Sequence, residues 1–439
     1  MLSTTDPQGH VSTRIYDKLD RATDTYGPAP ANCFKADRTP TTCGIKPAHT
    51  HTSYDGGLQG LAASFWDNKY LTGAPKAYQL GVSPDGRVTG VWEGSDTPSP
   101  DVTSDAYSAR LTGTVTFPTT GTYSFKTKAD DTARLYVNNL QLINYTYSNG
   151  EYWSGAGVVT AKAGDVLPIR LDYIDVAGHS QLQLYWSTDG TTYTLVPATA
   201  LAPNYGLATQ QTVDDSAPAG VAGVTNAQVP SSNTTTDYGT SPWLGQVNAT
   251  TIDSAGLNLR TESAYEPAGT GYLRLTGQRP PAAVATGLPA ATAGTTSTYY
   301  GDAEPYGTAL GITSPVCGLP IDTPQYGMLK TSTGPKPAVG SAIAVNFIYD
   351  RLGRVVATKT TGDADWSCAT YDSRGRVTKA TTAATSAGAP ARTVTSSFSV
   401  NGDPGYTTVA DSAGTITTRT DLLGQQLEYT DVWGTKTTT

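Results

Sequence analysis

One short pattern punctuates the chain: Asp, two variable residues, then Gly. It occurs as Asp253–Gly256, Asp350–Gly353, Asp372–Gly375, Asp411–Gly414, Asp421–Gly424 and Asp431–Gly434. The Asp carboxylate can hydrogen-bond the backbone inside a turn and Gly tolerates the exit geometry, so each copy predicts a type I turn. Alternating apolar and polar residues flank several copies, as in Ala344-Val-Asn-Phe-Ile-Tyr349 before Asp350 and Arg354-Val-Val-Ala-Thr358 after Gly353. A period of two beside a turn is the pattern of a β-hairpin. Hairpins that cannot bury a face alone gain by stacking into an extended repeat sheet.

Composition agrees and excludes an all-α fold. With 46 Gly and 28 Pro in 439 residues, the two make up about 17% of the chain, against an ordinary average of about 12%. Tyr outnumbers Phe 26 to 6, which suits sheets with one wet face more than a thick apolar core. The length leaves room for roughly three domains. Net charge is −8, and with no basic stripe a nucleic-acid partner is not expected. Nothing approaches 18 consecutive apolar residues, so no membrane span is expected. Met1 leads into Ser, Thr, Asp and Pro with no signal-peptide pattern, and Lys436-Thr-Thr-Thr439 ends without a closing turn. The expectation is an excised piece of a longer protein.

Four cysteines stand at Cys33, Cys43, Cys317 and Cys368, and three pairings are possible. The favoured one is Cys33 with Cys43 and Cys317 with Cys368; four separate thiols are the alternative. Closing the short loop between Cys33 and Cys43 is worth about 3 kcal/mol in the chain-entropy picture. Bridges would imply an oxidising compartment and export. Cys-x-x-Cys metal spacing is absent.

Between Tyr54 and Tyr205 strands lengthen and alternation sharpens, as in Ala109–Phe117, Gly121–Thr127, Ala133–Val137, Leu167–Tyr173 and Gln181–Trp186. Pro118–Gly121 and Asn138-Asn139 read as hairpin turns. This predicts an antiparallel β-sandwich. Several motifs then follow one order: Gly60-Leu-Ala-Ala-Ser-Phe-Trp66, Gly121-Thr-Tyr-Ser-Phe125, Asp130-Asp-Thr-Ala-Arg-Leu-Tyr-Val137, Ile169-Arg-Leu-Asp-Tyr173 and Leu184-Tyr-Trp186. In that order they resemble a PA14 domain across nearly its full length. Elsewhere, Tyr349-Asp-Arg-Leu-Gly-Arg-Val355 and Tyr371-Asp-Ser-Arg-Gly-Arg-Val377 resemble YD repeats of the RHS family, and Tyr16–Ala22 resembles one with Asp20 in place of Gly. That resemblance implies a spiralling β-sheet, as in a toxin-enclosing shell or a surface shaft. The family's core-terminal signature with its self-cleaving carboxylates has no match. The expected fold is all-β: residues 1–55 an N-terminal YD segment with the Cys33–Cys43 loop, 56–205 a PA14-like β-sandwich, and 206–439 a degenerate YD-repeat β-hairpin sheet forming part of a shell.

The candidate chemistry lies in the sandwich. Asp130 and Asp131 repel each other unless a cation or hydrogen bonds compensate, and Ca²⁺ takes six to eight oxygens at about 2.3–2.6 Å. In PA14 lectins the matching Asp pair is joined by a cis peptide and holds Ca²⁺, which grips a sugar diol; in other PA14 domains the pair is only a rigidifying turn. The resemblance offers Asp175 as a third oxygen donor and His179 as a sugar contact, with Asp175 as a solvated turn residue the bland reading. Thr132 replaces the family's usual Gly, and Asn138 and Asn144 stand where acidic residues are common. Asn144 retains an amide oxygen, and Tyr145, Tyr147, Tyr152 and Trp153 offer faces for a sugar ring or for packing of their own loop.

His49 and His51 would share one face of a strand, a possible transition-metal pair, although their Gly-rich setting reads as an incidental linker. No Gly-x-Ser-x-Gly, phosphate loop or His-Glu-x-x-His is present, so an enzyme is not expected. The resulting expectation is Ca²⁺-dependent recognition of a glycan or cell-surface polysaccharide by the sandwich. The hairpin repeats would scaffold it as part of an RHS shell in a larger bacterial protein, secreted or at the cell surface. The alternative is a purely structural piece of a toxin-enclosing shell or shaft with no ligand site.

Overall fold

The computed structural model describes residues 2–438 apart from 18, 42, 45, 148–151, 216–230, 270 and 387. The chain is nearly all β and forms two compact units, Met1–Leu259 and Arg260–Thr439. The division falls later than the expected 205/206 boundary because Ala208–Asp215 returns to pair with Ala48–Tyr54. Residue 18 of the Tyr16–Ala22 copy lies outside the described residues.

In the first unit an antiparallel meander runs through Ser3–Thr5, His10–Tyr16, Ala22–Pro30 and Ala48–Tyr54. It resumes with Ala208–Asp215, Ser232–Asp237 and Ala249–Ile252. The sandwich is inserted between Tyr54 and Ala208, so neighbours in the sheet are about 150 residues apart in sequence. His49 and His51 therefore lie on a paired strand, not on a linker.

One sheet of the sandwich has seven strands, ordered Leu140–Thr146, Thr132–Val137, Val166–Ile174, Ser108–Thr116, Ala62–Trp66 and Ala77–Leu80, with Leu201–Ala202 also on Ser108–Thr116. The other has five: Gly157–Ala161, Gly121–Asp130, Ser180–Ser187 and Thr194–Leu195, with Thr89–Trp92 also on Ser180–Ser187. Alternation along these strands drives Phe65, Leu111, Phe125, Leu135, Leu171, Tyr173 and Leu184 into one core. Gly113 has a packing reason: a Cβ there would stand 2.1 Å from the Ala202 carbonyl oxygen, so only Gly lets the edge strand approach. Asn138 and Asn139 both take positive φ, 51° and 62°, as the two-residue hairpin between Val137 and Leu140 requires.

The second unit is a meander of neighbouring antiparallel strands from Leu259–Tyr265 to Lys436–Thr438. Its core gathers Tyr300, Tyr306, Val316, Ile348, Tyr349, Val356 and Ala357. Disulfides join Cys33 to Cys43 and Cys317 to Cys368.

The repeated turns have a shared mechanism. Asp350 Oδ1 accepts the N–H groups of Leu352 and Arg354 at 2.9 and 3.0 Å, and Arg354 Nε donates to Oδ2 at 2.7 Å. Asp372 repeats this with Arg374 and Arg376, and Asp17 with Leu19 and Arg21. Asp421 and Asp431 keep the backbone bonds. So does Asp6, whose Asp-Pro-Gln-Gly stretch belongs to the same set. Two copies differ: Asp253 itself takes φ 51°, and Asp411 pairs directly with Gly414 across a two-residue turn.

The arginine then reaches the next strand. Arg354 lies 4.6 Å from the Tyr371 ring centroid, and Tyr371 Oη donates to the Val355 carbonyl at 2.6 Å. Arg21 lies over Tyr54 at 4.9 Å, and Tyr54 Oη donates to Ala22 at 3.0 Å. Arg274 lies over Tyr299 at 4.2 Å, and Tyr299 Oη donates to Leu275 at 2.7 Å. One arginine thus closes its own turn and grips its neighbour.

Candidate functional site

Strand register places one set of crossovers at a single end of the sandwich. Thr132 pairs with both Thr146 and Ile174, Ser108 with Ile174, and Asp130 with Gln181. Asp131 is the crossover between sheets, following Gly121–Asp130 and preceding Thr132–Val137. The 175–179 loop crosses beside it to Ser180–Ser187, and the chain passes from Leu140–Thr146 in one sheet to Gly157–Ala161 in the other.

The Asp130–Asp131 peptide is cis. Asp131 Oδ2 accepts the Val176 N–H at 2.6 Å, and its carbonyl accepts the Tyr147 N–H at 2.6 Å. Tyr173 Oη donates to the Asp130 carbonyl. Asp130 is only 6% exposed, and among the described residues no donor reaches its carboxylate. Burial, then the neighbouring Asp131 charge, pushes the Asp130 carboxyl above its ordinary pKa, partly offset by His179. Asp130, itself nearly buried, and the half-buried Asp131 form an anionic pair, and among the described residues no protein donor meets the Asp130 carboxylate.

Asp175 departs from the second of its two sequence readings. It is wholly buried, not a solvated turn residue. Its Oδ2 accepts the Ala106 N–H at 3.0 Å and its Oδ1 the Ser180 Oγ–H at 2.7 Å. Burial pushes its carboxyl up to about 6, aided by Asp131 and Asp105, while the bonds from Ser180 and Ala106 pull the other way. Asp175 anchors the loop that presents the Val176 N–H to Asp131.

Among the described residues, no contact brings Asn144 to this end. It lies opposite Arg134, whose Nε donates to its Oδ1 at 3.3 Å, on the outer face of the seven-stranded sheet. Tyr145 is half-buried against the core, which removes it as an open stacking face. Trp153, 38% exposed, packs on Tyr185 with ring centroids 4.8 Å apart, opposite Lys128. His179 is at the site: its ring meets Tyr152 edge-on at 5.8 Å, and Tyr152 packs on Tyr147 at 4.9 Å. Sequence reading missed Asp105, which accepts the Gly178 N–H and braces the 175–179 loop from a third segment. No short motif marks it; only the register of Ser108 with Ile174 brings its loop close.

Asp130 and Asp131 suit a hard cation: two carboxylates meet, and among the described residues one of them has no donor. Asp175 is bonded within the loop, and Asn144 lies opposite Arg134.

This architecture is an antiparallel sandwich with its acidic pair at a sheet-to-sheet crossover. Residues 57–200 are a PA14 domain. Among curated proteins, the anti-sigma-I factor RsgI3 of Acetivibrio thermocellus is 28% identical over 121 residues, which is 28% of this chain and 19% of that protein. The chain thus matches about a fifth of that relative. A solved anti-sigma factor domain-containing protein from Clostridium clariflavum is 26% identical, covering 33% of this chain and 47% of that one, with a TM-score of 0.29. A solved PA14 sugar-binding domain from an RTX adhesin is 20% identical, covering 34% of this chain and all of that one, with a TM-score of 0.28.

Proposed function

We propose that the sandwich is a non-enzymatic carbohydrate-recognition module, with Asp130 and Asp131 holding Ca²⁺ at its glycan-contacting end. The observation that carries this reading is that Asp130, a nearly buried residue set beside Asp131, has a carboxylate that meets no donor among the described residues. A divalent cation there would supply the missing positive charge and open coordination positions for vicinal hydroxyls. His179, with Tyr152 and Tyr147 packed behind it, supplies a polar edge beside the pair. The PA14 match supports binding over catalysis.

The hairpin sheets are read as the scaffold, an RHS-type shell or shaft in a larger bacterial protein secreted to or displayed at the cell surface. The recurring unit of an acid, an arginine and a tyrosine, with Asp17, Glu266 or Asp350 as the acid, supports the scaffold, and the two disulfides support an oxidising location. A glycan array probed with the whole chain tests the recognition reading. Binding in Ca²⁺ that chelator abolishes and Asp131→Asn removes is expected. Glycan binding indifferent to both treatments would move the site elsewhere on the sandwich, and no binding to any glycan would leave the domain a spacer.

A further inference from the structure

The histidine pair that looked incidental in the sequence sits in an ordered cluster. His51 lies opposite Asp24 on one neighbouring strand and Thr212 on the other; His49 lies opposite Tyr26 and Asp214. Asp24 Oδ1 stands 3.0 Å from His49 Nε2 and 2.8 Å from His51 Nδ1. Asp24, His49 and His51 offer ligand atoms all within 4.8 Å of one another, and among the described residues no other His, Cys, Asp or Glu group does so.

Hydrogen-bond stoichiometry makes the cluster unusual. His49 has a carboxylate oxygen at each nitrogen, Asp214 Oδ1 at 2.7 Å from Nδ1 and Asp24 Oδ1 at 3.0 Å from Nε2. A neutral imidazole carries one N–H, so one of those carboxylates faces a lone pair unless the ring carries a second proton or a metal ion lies between. A metal ion shared by His49 Nε2, His51 Nδ1 and Asp24 resolves this, leaving Nδ1–H of His49 to donate to Asp214. Asp214 is then the outer carboxylate that fixes a ligating histidine, and Ser53 Oγ plays the same part 3.3 Å from His51 Nε2. The Tyr26 ring, stacked on His49 at 4.5 Å and 9°, holds the imidazole plane.

We propose that Asp24, His49 and His51 form a transition-metal site of the Zn²⁺ type, with Asp214 and Ser53 as its supporting shell. Two imidazoles and one carboxylate are ligands Zn²⁺ accepts, with water completing a tetrahedron. Ligand atoms around tetrahedral Zn²⁺ stand about 3.3 Å apart, given bonds of about 2.0–2.1 Å, so the Asp24 contacts need open by only a few tenths of an ångström. The ion would join Ala22–Pro30 to Ala48–Tyr54, the strand that leads into the sandwich. Through Asp214 it would also brace Ala208–Asp215, the strand that leaves it.

The test is titration of the chelator-stripped whole chain with Zn²⁺ by calorimetry and with Co²⁺ by visible absorption. Expected are 1:1 uptake, the absorption of tetrahedral Co²⁺, loss of both in Asp24→Asn and His51→Ala, and affinity about 10–100-fold weaker in Asp214→Asn. His10→Ala should titrate as the parent does. Absence of saturable uptake by the parent, or uptake undiminished in Asp24→Asn and His51→Ala, would overturn the proposal and leave a protonated His49 bridging two carboxylates. Should those variants fail to fold, the parent decides by NMR. Zn²⁺ must then shift the imidazole resonances of His49 and His51 and spare those of His10 and His179; the reverse pattern contradicts the site.

Discussion

The guanidinium of Arg354 lies 4.6 Å from the centroid of the Tyr371 ring while its Nε donates to Asp350 in its own turn. One side chain therefore couples turn closure to the packing of the next hairpin. Its partner Asp350 has a side chain only 16% exposed, so the ion pair is partly sheltered from solvent screening. Arg354→Ala is expected to cost about 2 kcal/mol, because it removes a charge-assisted bond and a cation–π interaction together. Arg354→Lys should fall between, because lysine keeps the charge without the planar fork. Urea unfolding of the whole chain, followed by tyrosine fluorescence, reads both; equal stability of all three proteins would refute the coupling.

Asp175 predicts a pH dependence. Its carboxyl is raised from 3.8 to about 6 in the fold, chiefly by burial. A raised pKa means that the folded state holds the proton more tightly. The stability this group contributes is then full below about pH 4 and lost as pH rises to about 6. Asp175→Asn, which keeps an acceptor for Ala106 N–H, should gain on the parent across that window in chelator and hold a constant advantage above it. An advantage that shrinks with rising pH would contradict the assignment. Asp175→Ala leaves two donors unpaired and should cost about 2–3 kcal/mol.

Gly113→Ala would place a methyl carbon 2.1 Å from the Ala202 carbonyl oxygen. Either Leu201–Ala202 detaches from Ser108–Thr116 or the strand shifts. A loss of about 1–3 kcal/mol is expected, read as a lower urea midpoint with faster hydrogen exchange at Leu201 and Ala202. An unchanged midpoint would mean that the edge strand is not packed as described.

The Cys317–Cys368 bridge spans 51 residues and ties the segment carrying Val316 to the Ser367–Tyr371 strand. Replacing both residues with Ser should lower stability by about 2–4 kcal/mol. Thermal melts of the double variant against the oxidised parent measure it, and coincident melts would show that the loop is held without the bridge.

Much of the architecture was legible because β structure writes its period into the chain. The Ser108–Thr116 and Gly121–Asp130 strands declare themselves by alternation, and the Asp turns by a carboxylate three residues before glycine. What stayed hidden depends on parity and register. Asn144 looked like a site residue, but a bulge between Leu135 and Tyr136 resets which residues of the partner strand face inward, and Tyr145 goes to the core. Asp175 reads as a loop carboxylate until Ala106, from a distant segment, is seen bonded to it. The Arg–Tyr grip between hairpins joins residues 17 to 33 positions apart, and no local pattern reveals such a pair. The cluster of Asp24, His49, His51 and Asp214 needs the strand after the inserted sandwich to return beside the strand before it.

The most direct test of the account is calorimetric titration of Ca²⁺ into the chelator-stripped chain, with Asp131→Asn alongside. The account predicts saturable binding by the parent, accompanied by a higher melting temperature, and neither effect in the variant. No heat from the parent up to millimolar Ca²⁺, or equal binding by parent and variant, would contradict a cation site at Asp130 and Asp131 and with it Ca²⁺-dependent recognition by the sandwich.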